Sequence, residues 1–418
     1  MKCVSRMSRV TKEICAYCKG VKKLCGAKIC PILVKHTSLL NIVPNIARKR
    51  DIDGFSPPNL LVGEFGYPQV NVGPISTSEV EYAREDPETW ARKGLDLIDI
   101  LKMRLSMLYA FRKAKVTKPS RFIEDLKEMI ISIRPVDVDV YLKREPRILI
   151  RFDADIPPIG ASGILDKVEV ASNPITTRKI EQAVEEDVKV SIIVPELWRH
   201  GMNFYYIQRL LSAGLLGVRS RRRIVPTRWS ITAADSILGR FFLNNIKYKN
   251  PIVEASLYHW EYLGNKYYII LIPNDFWAME MFEIWLPFSV WVRGSRNPVI
   301  IHIYEDYDGK PNKIDGGYMA IRYSVLEYLR KIDRKASVIA IRIITPKYFA
   351  PVGSWQIRES VKLALQSSPL MKGDPEELLR LVMFREGDNI KISLVKNSWL
   401  LKRIRQPKLN DFLKMCHE

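Results

Sequence analysis

Four cysteines stand close together near the start of the chain, at Cys15-x2-Cys18-x6-Cys25-x4-Cys30, with Gly20 and Gly26 beside them and Pro31 following. Thiolates at such spacing can wrap one tetrahedral ion, and a structural zinc prefers four of them at about 2.3 Å. So short a module buries too little apolar surface to fold alone, so the metal would supply its folding free energy. We therefore expect Cys15, Cys18, Cys25 and Cys30 to hold one structural Zn²⁺. Two alternatives stay open: an iron–sulfur cluster, which thiolate spacing alone does not exclude, and four unrelated cysteines close by chance. A catalytic zinc is disfavoured, because all four positions would be filled and no His-x-Glu lies nearby. Cys3 and Cys416 read as free thiols.

A second chemistry is written in carboxylates. Asp153 and Asp155 alternate at the end of the apolar run RILIRFDAD, so on a strand they share a face, and Asp166 and Glu169 follow on the next segment. Such a group could hold Mg²⁺ or Mn²⁺ for phosphoryl chemistry, although acids at strand ends are more often solvated. Gly160-Ala161-Ser162-Gly163 could cradle a phosphate, but without a P-loop lysine an ordinary turn is the simpler expectation. Arg221, Arg222, Arg223, Arg228 and Trp229 combine guanidinium groups with an aromatic face, the materials for phosphate contact and base stacking. The bland reading is a charged loop around a core tryptophan. Arg358 and Glu359 could pair with that cluster or simply open a helix. The five histidines form no motif with a nearby serine, cysteine or acid, so nucleophilic catalysis has no support.

These groups must be positioned by a body of ordinary globular composition. The 418 residues are 47% hydrophobic, long enough for two or three domains. No run of eighteen apolar residues could span a bilayer, and MKCVSRMSRVTKEIC has no apolar run to act as a secretory signal, so a soluble cytoplasmic protein is expected. Clustered cysteines in a reducing compartment also suit metal better than disulfides. The formal charge of +20 sits at the ends: residues 1–50 carry 12 Lys and Arg against one acid, and residues 389–418 carry 7 against 2. That distribution favours DNA as a partner over a merely solubilising role.

The expected architecture is α+β: an N-terminal four-cysteine zinc module, a mixed α/β body and a flexible C-terminal peptide. Boundaries are read as a basic module and linker at 1–50, an N-terminal body at 51–240, a C-terminal body at 241–398 and a basic tail at 399–418. Pro57-Pro58, Gly66-Tyr67-Pro68 and Gly73-Pro74 predict short strands and tight turns. Asp86-Pro87-Glu88 predicts the start of a long helix carrying Leu97, Leu101, Leu105 and Leu108 on one stripe. Further helices are expected near 177–186, 203–216, 319–331 and 375–384, and strands at 267–273, 298–304, 338–344 and 390–395.

The tail holds Gln406-x2-Leu409-x2-Phe412-Leu413 behind Lys402, Arg403 and Arg405. Spacing of three puts Leu409 and Phe412 on one edge of a 3₁₀ turn, and Pro407 keeps Gln406 extended before it. An apolar plug on a basic tail fits ordering on a partner, the alternative being a last amphipathic turn of the core. The arrangement resembles the PCNA-interacting peptide of replication and repair proteins, departing from it in Leu413, where a second aromatic is usual.

Three longer blocks, SPPNLLVGEFGYPQVNVGP at 56–74, ASGILDKVEVASNP at 161–174 and RRIVPTRWSITAAD at 222–235, complete a pattern that runs nearly the whole chain. Together with both ends it resembles the archaeal Nre family of DNA-repair proteins, of the NreA type. The resemblance implies a part in DNA-damage repair, an N-terminal four-cysteine zinc finger and PCNA bound through the C-terminal peptide. It supplies no settled activity and no catalytic residue. The rival expectation is a metal-dependent or nucleotide-using enzyme acting on damaged nucleic acid through the carboxylates above, with Arg228.

Overall fold

The computed structural model describes residues 14–18, 24, 50–84, 86–117, 121–151, 155–292, 296–390 and 392–406. It divides into two compact units. The N-terminal unit comprises Cys18–Phe241 with Phe349–Glu359, and the C-terminal unit comprises Met1–Tyr17, Phe242–Tyr348 and Ser360–Glu418. Both are mixed α and β.

The N-terminal unit is built on a seven-stranded sheet. Its strands are β1 (Asp51–Ser56), β2 (Leu60–Val62), β3 (Gln69–Ser76), β4 (Leu108–Lys115), β5 (Val136–Leu142), β6 (Arg147–Arg151) and β7 (Ile159–Val170), in the order β1-β5-β7-β4-β3-β2 with β6 also on β7. β4 and β7 run parallel and the remaining pairs antiparallel. The Pro- and Gly-rich stretch forms the short strands β1 to β3, as expected.

Two expectations fail here for local reasons. The long helix from Asp86 breaks into Pro87–Arg92 and Leu97–Leu105. Gly94 turns the chain at φ +65°, and Asp96 caps a fresh start by accepting the Asp99 N–H at 2.8 Å, while Leu108 opens β4 rather than extending the stripe. The run Gly160–Gly163 is neither a phosphate cradle nor a turn: it lies inside β7. A Cβ on Gly160 would stand 1.9 Å from the Leu105 carbonyl oxygen, and one on Gly163 2.7 Å from Leu142 Cδ1. The glycines let neighbouring chain approach that closely.

The C-terminal unit holds a six-stranded sheet. β8 (Ser256–Tyr262), β9 (Asn265–Ile272), β10 (Met279–Trp285), β11 (Val299–Glu305), β12 (Ser337–Ile344) and β13 (Met371–Lys372) lie in the order β11-β10-β12-β9-β8-β13. β10 and β12 pair in parallel. β10 and β12 are buried at every position, the mark of strands covered on both faces. Leu378, Leu379 and Val382 of the helix Pro375–Glu386, capped by Asp374 as expected, pack with Leu257, Ile270 and Ile341 of the sheet. In this unit buried Arg342 pairs with Glu283 at 3.0 Å and buried Arg322 with Glu305 at 2.8 Å. The expected strand at 390–395 is absent among the described residues. There Ser393 accepts the Lys396 N–H at 3.3 Å and starts the short helix Leu394–Asn397.

Candidate functional site

One face of the helix Thr227–Ile246 organises the N-terminal unit. Thr227, Ile231 and Asp235 recur every four residues and so share that face. Thr227 Oγ1 accepts the Val62 N–H at 2.9 Å, which ties the helix start to β2. Two turns on, Asp235 receives the Arg358 guanidinium: Nη2 donates at 2.6 and 2.7 Å and Nε at 3.1 Å. Asp235 is 0% and Arg358 1% exposed, and the guanidinium lies 3.7 Å over the Phe204 ring. Burial pulls the Arg358 pKa down, but the Asp235 carboxylate, with Tyr205 and Glu359, more than offsets it and holds the group above its ordinary value. Beside it the Tyr205 hydroxyl donates to Glu359 at 2.5 Å. Burial first, then the Glu359 charge, pushes that phenol far up.

Arg228, one residue past Thr227, joins two other parts of the chain. Its Nε donates to Asp155 at 2.9 Å and its Nη1 to Glu64 at 3.1 Å. Trp229 Nε1 also donates to Glu64, at 3.2 Å, and its half-exposed ring lies 5.1 Å from that of Tyr67. The block at 56–74 and the block at 222–235 therefore meet at a carboxylate–guanidinium–carboxylate node with an aromatic pair beside it.

Around this node lie two cavities. The larger, about 610 Å³, is lined by Trp90, Arg104, Phe204, Arg209, Trp355 and Arg358 among others. The smaller, about 260 Å³, is lined by Glu64, Tyr109, Phe111 and Arg228, and Leu61, Ile156 and Pro157 wall both. Arg104 is buried in the larger wall, its Nε donating to the Pro158 carbonyl at 3.0 Å and its Nη1 to Met107 Sδ at 3.3 Å. Burial draws its pKa down to about 9, so at neutral pH it keeps its charge at a desolvation cost. Arg209 behaves alike. Its Nη2 donates to the Ser132 carbonyl at 2.9 Å, and burial, partly offset by Tyr206, draws it down to about 10.

The sequence-predicted residues fare unevenly. Arg228, Trp229 and Asp155 come together as described, while Asp153 lies outside the described residues. Asp166 is exposed in the second half of β7, and Glu169, farther along, pairs with Lys167. Among the described residues no three His, Cys, Asp or Glu side chains gather as a metal-holding group. Arg222 is tied into the fold, donating to the carbonyls of Gly217, Val184 and Glu186 at 2.6 to 2.8 Å, whereas Arg221 and Arg223 are exposed. Arg358 and Glu359 pair with Asp235 and Tyr205 rather than with the arginine cluster. Cys15 and Cys18 sit three residues apart on the helix Ile14–Cys18. Cys25 and Cys30 lie outside the described residues, as do Leu409, Phe412 and Leu413. Gln406 is described; its Oε1 accepts from Arg403 Nη1 at 3.0 Å.

Glu64, Arg104, Arg209 and Asp235 escape sequence reasoning. Asp235 had a signal, the i, i+4, i+8 step from Thr227 in TRWSITAAD, and Glu64 sits inside VGEFGYP. Arg104 and Arg209 read as surface cations of amphipathic helices.

Comparison with known proteins adds the family context. Residues 24–292 match the model described as Archaeal Nre, N-terminal, and residues 304–412 the one described as Archaeal Nre, C-terminal. A protein named DNA repair protein NreA from Archaeoglobus fulgidus is 37% identical over 85% of this chain and 89% of its own length. DNA repair protein NreB of the same organism is 31% identical over 96% and 100%, and DNA repair protein NreA of Haloferax volcanii 32% identical over 74% and 77%. No solved structure matches.

Proposed function

Because this chain belongs to the archaeal Nre family, we propose that it serves DNA repair as a factor that docks on the sliding clamp PCNA and contacts DNA through its basic surfaces. The relatives carry the name DNA repair protein. The observation that carries the finer reading is the tail. Gln406 follows the helix Trp399–Ile404, whose Leu400 and Leu401 are buried in the C-terminal unit and whose Arg403 donates to Asp306 at 3.1 Å. Gln406, the described residue of that peptide, follows this helix, and its side-chain amide is held by the Arg403 contact at 3.0 Å. Such a contact is worth well under ~2 kcal/mol.

In this reading Cys15, Cys18, Cys25 and Cys30 hold one structural zinc, and the basic first fifty residues, with Arg221 and Arg223, supply DNA contacts that would keep the protein with the nucleoid. No helix among the described residues is long and apolar enough to cross a membrane. The test is a calorimetric titration of the archaeal clamp with the full chain and with Phe412→Ala. Binding by the wild type that is lost with the ring supports docking; equal binding by both, or by neither, overturns it.

A further inference from the structure

We propose that the smaller cavity of the N-terminal unit, with the exposed aromatic rings beside it, takes one unpaired base of a DNA strand, and that Lys115 and Arg223 hold the strand's phosphates. The inference rests on the DNA-contact reading above and sharpens it from a charged surface to a site for unpaired DNA.

The cavity lies on one face of the sheet. Tyr109, Phe111, Lys113 and Lys115 alternate along β4 and so share that face. Asn71 of β3 stands opposite Lys113 and Ser162 of β7 opposite Tyr109, which puts both on the same side. Tyr109, Phe111, Asn71 and Ser162 all line the cavity, and Leu61, Pro157 and Pro226 add apolar wall. Its volume of about 260 Å³ is a little below the roughly 300–1,000 Å³ typical of sites for whole ligands, a size that suits a single base. Among the described residues neither the Asn71 amide nor the Ser162 hydroxyl has a hydrogen-bond partner. An amide offers a donor and an acceptor together, the pair that a base edge matches, and apolar walls with a few such groups are how an unstacked base is held.

The rim supplies stacking surface. Phe65 lines the cavity yet is 81% exposed, and the paired rings of Tyr67 and Trp229 are 47% and 45% exposed. Three large rings left in water form a surface on which bases stack whatever their sequence. Cations adjoin it. The Val116 N–H donates to the Pro68 carbonyl at 3.0 Å, and the Val116 carbonyl accepts the Ile224 N–H at 3.1 Å. Those bonds set three segments side by side, the ones carrying Lys115, Tyr67 and Arg223. Lys115 and Arg223 are exposed, and none of the described acids pairs with them. Glu64, the acid that lines the cavity, is bonded by Arg228 and Trp229, and Asp155 by Arg228. Asp166, exposed two residues beyond Ile164, the partner of Phe111, lies on the same face. It would repel a phosphate there, which directs the strand toward Lys115 and Arg223.

The experiment is fluorescence anisotropy of the full chain with a labelled single-stranded oligodeoxynucleotide, its perfect duplex, and a duplex carrying one unpaired central base. The single strand should bind more tightly than the perfect duplex. Phe65→Ala, a change at an exposed ring, should weaken the single strand by about 5- to 150-fold, the range for one stacked base, and leave the salt slope unchanged. Lys115→Ala should instead lower that slope by about 0.7, the signature of one lost phosphate contact. Tight binding of the duplex with one unpaired base would assign the cavity to a base turned out of a helix, and binding of the single strand alone would assign it to an open strand. Equal binding of single strand and perfect duplex, with Phe65→Ala neutral, overturns the inference and leaves the DNA-contact reading standing. Absence of binding to any of the three overturns both.

Discussion

Asp235→Ala is the most informative single change in the N-terminal unit. It removes the carboxylate that Arg358, a guanidinium 1% exposed, meets at 2.6 Å, and leaves that cation stacked on Phe204 with its charge less well balanced. Breaking a buried pair from one side typically costs about 3–5 kcal/mol, because the remaining charge stays out of water with less to compensate it. In a unit of this size each kcal/mol moves the midpoint by roughly 2–4 °C, so the expected fall is roughly 6–20 °C. Asp235→Asn keeps the volume and one acceptor, and should fall between the two. The double variant Asp235→Leu with Arg358→Met removes both charges and should recover most of the loss, since well-packed apolar replacements of buried pairs are often neutral or better. Differential scanning calorimetry, with denaturant unfolding alongside, reads all four proteins. A loss below about 1 kcal/mol for Asp235→Ala, or a double variant no better than the single, would refute the account of a desolvated pair holding Thr227–Ile246 against the segment Phe349–Glu359.

Two further outcomes are expected. Metal analysis of the purified chain should give about one zinc per molecule, lost with N-terminal structure in Cys18→Ser, whereas iron with visible absorbance would replace zinc by a cluster. DNA affinity should fall steeply with salt, by about 10³–10⁵ between ~50 and ~200 mM if six to ten phosphates are contacted, and salt-insensitive binding would sink the DNA-contact reading.

Much of the scaffold is legible in the sequence where local chemistry decides. Asp86 and Asp374 cap helices because a short acceptor before Pro satisfies orphan N–H groups, and the Pro/Gly punctuation of 56–74 breaks the chain into short strands. What misleads is context. β10, MEMFEIW, carries Glu280 and Glu283 inside a buried strand, and no periodicity of apolar residues marks it. Those acids are tolerated only because distant partners arrive: Ser398 Oγ at 2.5 Å for Glu280 and Arg342 for Glu283. The glycines of ASGIL look like a turn, yet Gly160 exists to let Leu105's carbonyl approach a strand. At the site, Arg228 and Trp229 are visible as a cluster, but their partners Glu64 and Asp155 lie 164 and 73 residues away and only the fold brings them together. The segment Phe349–Glu359, which supplies Arg358, returns to the N-terminal unit after more than a hundred residues of the other, a long-range closure that leaves no local mark.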